Sequence, residues 1–316
     1  MGALAATACC RGNTGLHEGA SYHVGMATLQ SAPTTTPATR QLKYLSHGHR
    51  QGPITRLMSP GDLGEVVKPF VFLDYFEADS IGGRGFPAHP HSGLATHTTL
   101  LSGATDYGDS TGKSGVLDVG SVEWMQAGRG VWHWGNPRSG GPVRGYQLWV
   151  ALPAALEHAP PASHYIAANQ IASDGRARVL LGTHGGLASP IPYTESLTYL
   201  HVMLADGERY SYEPAAGHDV AWLAVHRGAL HTSGKRLAEV MAVFEDGTGA
   251  IELVADGETE FVIGSAVRHP HPLVCGSYSV HTSRRALMIG EAGIDALAST
   301  PLVVDAIRRT RDPSRA

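Results

Sequence analysis

The chain has 316 residues and a formal net charge of −4, from 24 Lys and Arg against 28 Asp and Glu, a length that suits about two ordinary domains. Its 42% hydrophobic, 16% charged composition and 39 glycines favour turns over long solvated helices, which argues against coiled coils and helical bundles. A near-neutral balance without a long basic block gives no footprint for sequence-independent nucleic-acid binding, and no window approaches the roughly 18 consecutive apolar residues that span a bilayer.

The opening MGALAATACCRGN lacks the positive start of a secretory signal, so a soluble cytoplasmic protein is expected, without a membrane or nucleic-acid partner. Cys9, Cys10 and Cys275 have no metal-type spacing and imply no disulfide framework. Residues 1–40 are small and polar and end in SAPTTTPATR, which predicts a disordered arm. Initiation at Met26 would remove most of it.

From Gln41 onward, short apolar runs alternate with turn signals such as Pro60-Gly61, Asp109-Ser110-Thr111-Gly112 and Asn136-Pro137, the pattern of an all-β sandwich or barrel. Strands are expected over 70–75, 96–102, 115–119, 122–126 and 145–152. A linker rich in Pro and Ala follows at 153–163, then a second β-rich stretch with strands at 199–204, 220–226, 240–244, 250–254 and 259–264. The convincing helix is late, over 284–297, with Thr282 or Ser283 as its cap. The predicted organisation is thus an N-terminal domain over 41–160, a C-terminal domain over 161–300 and a fraying tail over 301–316. Sliding the chain by about 125 residues lays Leu100–Ala104 onto Val225–Ala229, a weak internal repeat in which His89 and His91 fall on Pro214 and Ala216.

Eighteen histidines produce about one His-x-His by chance, and the chain has three: His47-Gly-His49, His89-Pro-His91 and His269-Pro-His271. Context separates them. Residues two apart in a strand share a face, so a pair aimed into a barrel offers two imidazoles to one metal, and a third must come from a neighbouring strand. The second pair has such a partner downstream, where 120–133 runs through a strand, turns at Gly128-Arg129-Gly130 and presents His133. His47/His49 and His269/His271 read as loop or edge histidines. For His89, His91 and His133 the metal reading competes with polar residues that fill a barrel mouth. Trp132 and Trp134 bracket His133 as walls of a substrate pocket or as barrel packing, and Trp124, Met125 and Trp149 read as core. His97 shares the parity of the His pair but lies about 20 Å along an extended strand, which makes it a pocket or surface residue. Glu123, Asp118 and Asp106 are the nearby carboxylates, with Glu123 expected to face solvent.

FVFLDYFE (70–77), FPAHPHSG (86–93), WMQAGRGVWH (124–133) and GYQLWVALP (145–153) together resemble the pirin family of bicupins, four blocks in order with family-like spacing. GSYSVHTS, followed by a helix, resembles its closing segment. The resemblance implies two tandem cupin β-sandwich barrels, one mononuclear metal in the first, usually iron, and a quercetinase-like dioxygenase activity on a flavonol-like aromatic. It equally allows a metal-sensing or metal-free regulator that acts on a partner protein. The chain departs from the family at Gly135, where pirins carry a carboxylate ligand, and at Ala95, where a Glu is common. Three neutral imidazoles without a charged ligand predict weaker metal binding and leave the role of the base without an occupant. No phosphate-cradling loop or nucleophile elbow is present.

Overall fold

The computed structural model describes residues 17–18, 39–78, 86–138 and 141–311. Two antiparallel sheets face each other in the first half. One has seven strands in the order 162–166, 122–126, 94–102, 143–151, 70–78, 54–58 and 49–51. The other has four, in the order 86–91, 131–137, 105–109 and 114–117. Aromatic side chains lock the sheets together: Tyr107 stacks on Tyr165 at 3.5 Å between ring centroids, and Phe76 meets Phe86 edge-on at 5.5 Å. A nine-stranded sheet forms the second barrel around its own core of Phe244, Phe261, Tyr212 and Leu223.

The central strands of the seven-stranded sheet are buried on both faces. Leu94–Ser102 shows why: Thr96 and Thr98 point into the first barrel, while Ala95, His97 and Thr99 point at the second. On that second side, Trp124, Tyr146 and Leu148 pack against Tyr199, Trp222 and Val262, so one continuous apolar layer joins the barrels. Full burial of each large apolar side chain stabilises by roughly 1.5–3 kcal/mol, which makes this layer a principal support of the fold. The repeat also has a structural basis. Gly103 and Gly228 both adopt left-handed backbone, with φ of +74° and +71°, where a side chain would collide with the neighbouring chain.

The all-β fold is therefore as expected, but the chain is interleaved in a way its segment order conceals. Leu42–Ser46 does not join the first barrel; it pairs with Val240–Phe244 in the second. Arg40 anchors this crossing, its guanidinium donating to the carbonyls of His218 and Asp219, each at 3.0 Å. Conversely Ala162–Ile166 returns to the first barrel as the partner of Val122–Gln126. Boundaries at 41 and 160 thus do not follow the strand pairing, because each barrel uses a strand from the other's segment to cover an edge. The expected disordered arm lies outside the described residues apart from 17–18 and 39–40.

Ser283 caps the late helix, Arg284–Ala298, by accepting the Ala286 N–H at 3.1 Å. The expected fraying of the last dozen residues is corrected as far as Arg311: the tail begins with a further helix, Pro301–Arg311, and 312–316 lie outside the described residues. Val303, Ala306 and Thr310 lie on one buried stripe of it, and the Thr310 hydroxyl accepts the N–H of Ala88 at 3.0 Å. No single helix among the described residues is long and apolar enough to cross a membrane.

Candidate metal centre

Phe86–His91 and Val131–Pro137 are antiparallel neighbours in the four-stranded sheet, with His133 directly opposite His89 and Val131 opposite His91. Directly opposed residues bring their side chains close on one face, and His91 shares that face with His89 two residues earlier. The three imidazoles converge inside the first barrel. Ring centroids lie 4.3 Å (His89–His133), 5.2 Å (His91–His133) and 5.0 Å (His89–His91) apart. One ring nitrogen from each lies within 4.8 Å of the other two.

The outer contacts determine which nitrogens face inward. His89 Nδ1 lies 2.7 Å from the carbonyl of Pro87, His91 Nδ1 3.0 Å from the carbonyl of Tyr278, and His133 Nδ1 3.4 Å from Glu123 Oε1. Carbonyls and a carboxylate can only accept, so each Nδ1 carries the proton and each Nε2 presents a bare lone pair to the interior. His133 Nε2 and His89 Nε2 stand 2.9 Å apart. Two lone pairs at that distance repel unless a cation lies between them, and the spacing matches adjacent ligands around an ion at about 2.1 Å. The donor set thus fits a divalent transition ion. Burial, then the neighbouring His133, lowers the His89 pKa to about 3, and burial lowers His91 as well, so both rings stay neutral and ready to ligate.

Glu123 corrects the expectation of a solvent-facing carboxylate. Its strand is covered on both sides, and the side chain is 6% exposed because it points into the first barrel beside its cross-strand partner Thr98. Thr98 donates to Glu123 Oε2 at 2.5 Å, and Tyr165 bridges Glu123 Oε1 at 3.4 Å and Asp109 Oδ2 at 2.8 Å. Burial raises the Glu123 carboxyl, but bonds from His133 and Thr98 outweigh it and hold the group below its ordinary range. Glu123 orients His133 from behind; it does not take the place of a ligand at Gly135. That place is filled by packing: a side chain at Gly135 would begin 3.0 Å from the Thr105 methyl and 3.8 Å from the Phe86 ring.

Trp132 and Trp134 do not line this cavity. They alternate with buried His133 and Gly135 and so occupy the opposite face of the strand. The Trp132 indole donates to the carbonyl of Ile294 in the late helix at 3.1 Å, and the Trp134 indole covers Gly108. The aromatic walls come from elsewhere: Trp149 meets His91 edge-on at 4.8 Å, and the half-buried Tyr278 lies 5.9 Å from His89. Trp124, Met125 and Trp149 are buried as expected. His97 is fully buried against Tyr199 at the barrel–barrel layer, away from the three ligands, because the tight turn at Ser92-Gly93 resets the alternation between its strand and theirs.

A family model described as Pirin matches residues 53–150, the segment that contains all three histidines. A pirin-like protein of Caulobacter vibrioides is 31% identical over 229 residues, which cover 69% of this chain and 82% of that one. Among solved structures, a quercetin 2,3-dioxygenase from Acinetobacter baumannii superposes with a TM-score of 0.73 at 25% identity, covering 81% of this chain and 96% of its own. The bacterial pirin YhhW from Escherichia coli, solved in complex with nickel(II), shares the fold with a TM-score of 0.57 at 20% identity, covering 71% of this chain and 99% of its own.

Proposed function

The chain belongs to the pirin family of the cupin superfamily, and on that premise we propose that it is an iron-dependent, quercetinase-like dioxygenase acting on a flavonol-like aromatic. The observation that carries this reading is the convergence of three imidazoles, one ring nitrogen of each within 4.8 Å of the other two, beside the ring of Trp149. The likeness to the Acinetobacter dioxygenase supports the choice of substrate class.

When bound, a divalent ion supplies Lewis acidity toward a flavonol hydroxyl and the redox capacity for reaction with oxygen. His89, His91 and His133 would hold it. Glu123 keeps the proton on His133 Nδ1, and the carbonyls of Pro87 and Tyr278 do the same for His89 and His91. Trp149 and Phe72, stacked at 4.0 Å, close the wall behind His91 and exclude water. Tyr278 and His89, less buried than His91, sit where a flat substrate enters. No carboxylate stands at Gly135 to take the substrate proton, so the substrate would have to be acidic already.

The experiment is oxygen uptake with quercetin after reconstitution with iron. Uptake in the wild type that disappears in His133→Ala supports the enzyme; negligible uptake in both ends it. Gly135 itself favours a second reading, a metal-sensing regulator that works through contacts with a partner protein. That reading stands if the wild type binds an ion that His89→Ala removes, yet consumes no oxygen.

A further inference from the structure

A second group of metal-ligating side chains lies outside the three-histidine site, where the segment between the barrels meets the segment that closes the chain. Glu157 and His158 belong to the first, and His281 ends the short strand Val280–His281 just ahead of the late helix. One ligand atom from each of Glu157, His158 and His281 lies within 4.8 Å of the other two. Glu157 and His281 are 4% and 2% exposed.

The surroundings of the group are already built. Glu157 Oε1 accepts from the Thr282 hydroxyl at 2.8 Å, and Oε2 accepts the Thr282 backbone N–H at 2.9 Å. His281 Nε2 lies 3.0 Å from the Ser92 hydroxyl, which in turn lies 2.9 Å from that of Ser279. His158 stacks on His281 at 5.2 Å between ring centroids, yet both of its ring nitrogens are buried without a hydrogen-bond partner. Buried polar atoms are almost always satisfied, so an imidazole orphaned at both nitrogens beside a carboxylate and a second imidazole calls for a ligand.

His281 Nδ1 and Glu157 Oε2 stand 3.0 Å apart, a few tenths of an ångström closer than the roughly 3.4 Å between ligand atoms of a tetrahedral ion at about 2.1 Å, so a small opening of this contact seats the ion. Without metal, the proton on Nδ1 bridges them and His158 stays unpartnered. With metal, that proton moves to Nε2, from which it is donated to Ser92, and the hydroxyl of Ser92 donates onward to Ser279, so no proton is lost from the ring. The ion then replaces the bridging proton and gains His158 as a third ligand.

We propose that Glu157, His158 and His281 form a second site, for a divalent transition ion of the zinc class, which fastens the interbarrel segment to the base of the closing helix. Two imidazoles and one carboxylate are the donor set that suits such an ion rather than calcium or magnesium.

The test is a zinc titration of the full chain against a chromophoric chelator, in a His89→Ala/His91→Ala background that removes the first site. One tightly bound equivalent and a zinc-dependent rise in melting temperature are expected. His158→Ala, which deletes a side chain without hydrogen bonds of its own, should abolish both. No uptake by the background variant, or an equivalent that survives His158→Ala, overturns the proposal. In the wild-type background, His158→Ala should remove one equivalent that His89→Ala leaves in place, which keeps the test independent of how well the double variant folds. Since His158 plays no part in the three-histidine site, failure of the dioxygenase reading neither mimics nor masks either result.

Discussion

Glu123 Oε1 lies 3.4 Å from Nδ1 of His133, so this carboxylate acts on the candidate metal centre through His133, from the opposite sheet of the same barrel. Its charge makes the imidazole a better donor and fixes which nitrogen turns inward. Glu123→Gln keeps the shape but presents a neutral amide. Metal affinity should fall roughly ten- to a hundredfold, as read by competition with a chelator. An unchanged affinity would show that the backbone alone orients His133.

Gly135 offers the complementary experiment. A side chain there would begin 3.0 Å from the Thr105 methyl, so Gly135→Glu alone strains the packing. Combined with Thr105→Ser, it should place a carboxylate beside the three imidazoles and tighten metal binding by about tenfold or more, about 1.4 kcal/mol. The single substitution should lower the melting temperature and the pair should recover it. Equal melting of the two variants would mean that Thr105 is not the obstacle.

His97 predicts a pH dependence of stability. Burial lowers its pKa to about 4, whereas in the unfolded chain it titrates near 6.5. The unfolded state therefore binds more protons between those values, and the stability present above pH 6.5 is lost as pH falls toward 4. The loss attributable to this group is on the order of 3 kcal/mol. Denaturant midpoints at pH 7 and pH 5 should differ less in His97→Gln than in the wild type. The same difference in both would assign the effect to other groups.

Thr310 ties the last helix to the strand that carries two ligands, through the Ala88 N–H next to His89. Thr310→Val preserves volume and removes the acceptor, which leaves that half-buried donor without its partner at a cost of about 1 kcal/mol. The measurement is the denaturant midpoint. A midpoint within error of the wild type would mean that water satisfies Ala88.

The convergence of the three histidines is legible in the sequence because strand alternation is local: it fixes that His89 and His91 share a face, and Gly128-Arg129-Gly130 marks the turn before His133. Alternation does not say what covers each face. Glu123 looked exposed because the seven-stranded sheet is buried on both sides, a property of the docked second barrel and not of the segment VEWMQ. Trp132 and Trp134 follow the alternation rule faithfully, and it places them on the face opposite His133, Trp132 beneath a helix about 160 residues later in the chain and Trp134 over Gly108. The helix over 301–311 escapes notice because its buried stripe of Val303, Ala306 and Thr310 is thin and gains meaning only against the metal-bearing strand.

The placement of Leu42–Ser46 bears on how the protein is made. Phe244, the partner of Leu42, follows it by 202 residues. At the usual pace of a ribosome, the segment waits roughly 10–40 s for its neighbour to emerge. Meanwhile it is a half-apolar stretch without its main pairing partner. Expressing either half of the gene by itself would deprive that half of an edge strand and leave it prone to aggregation.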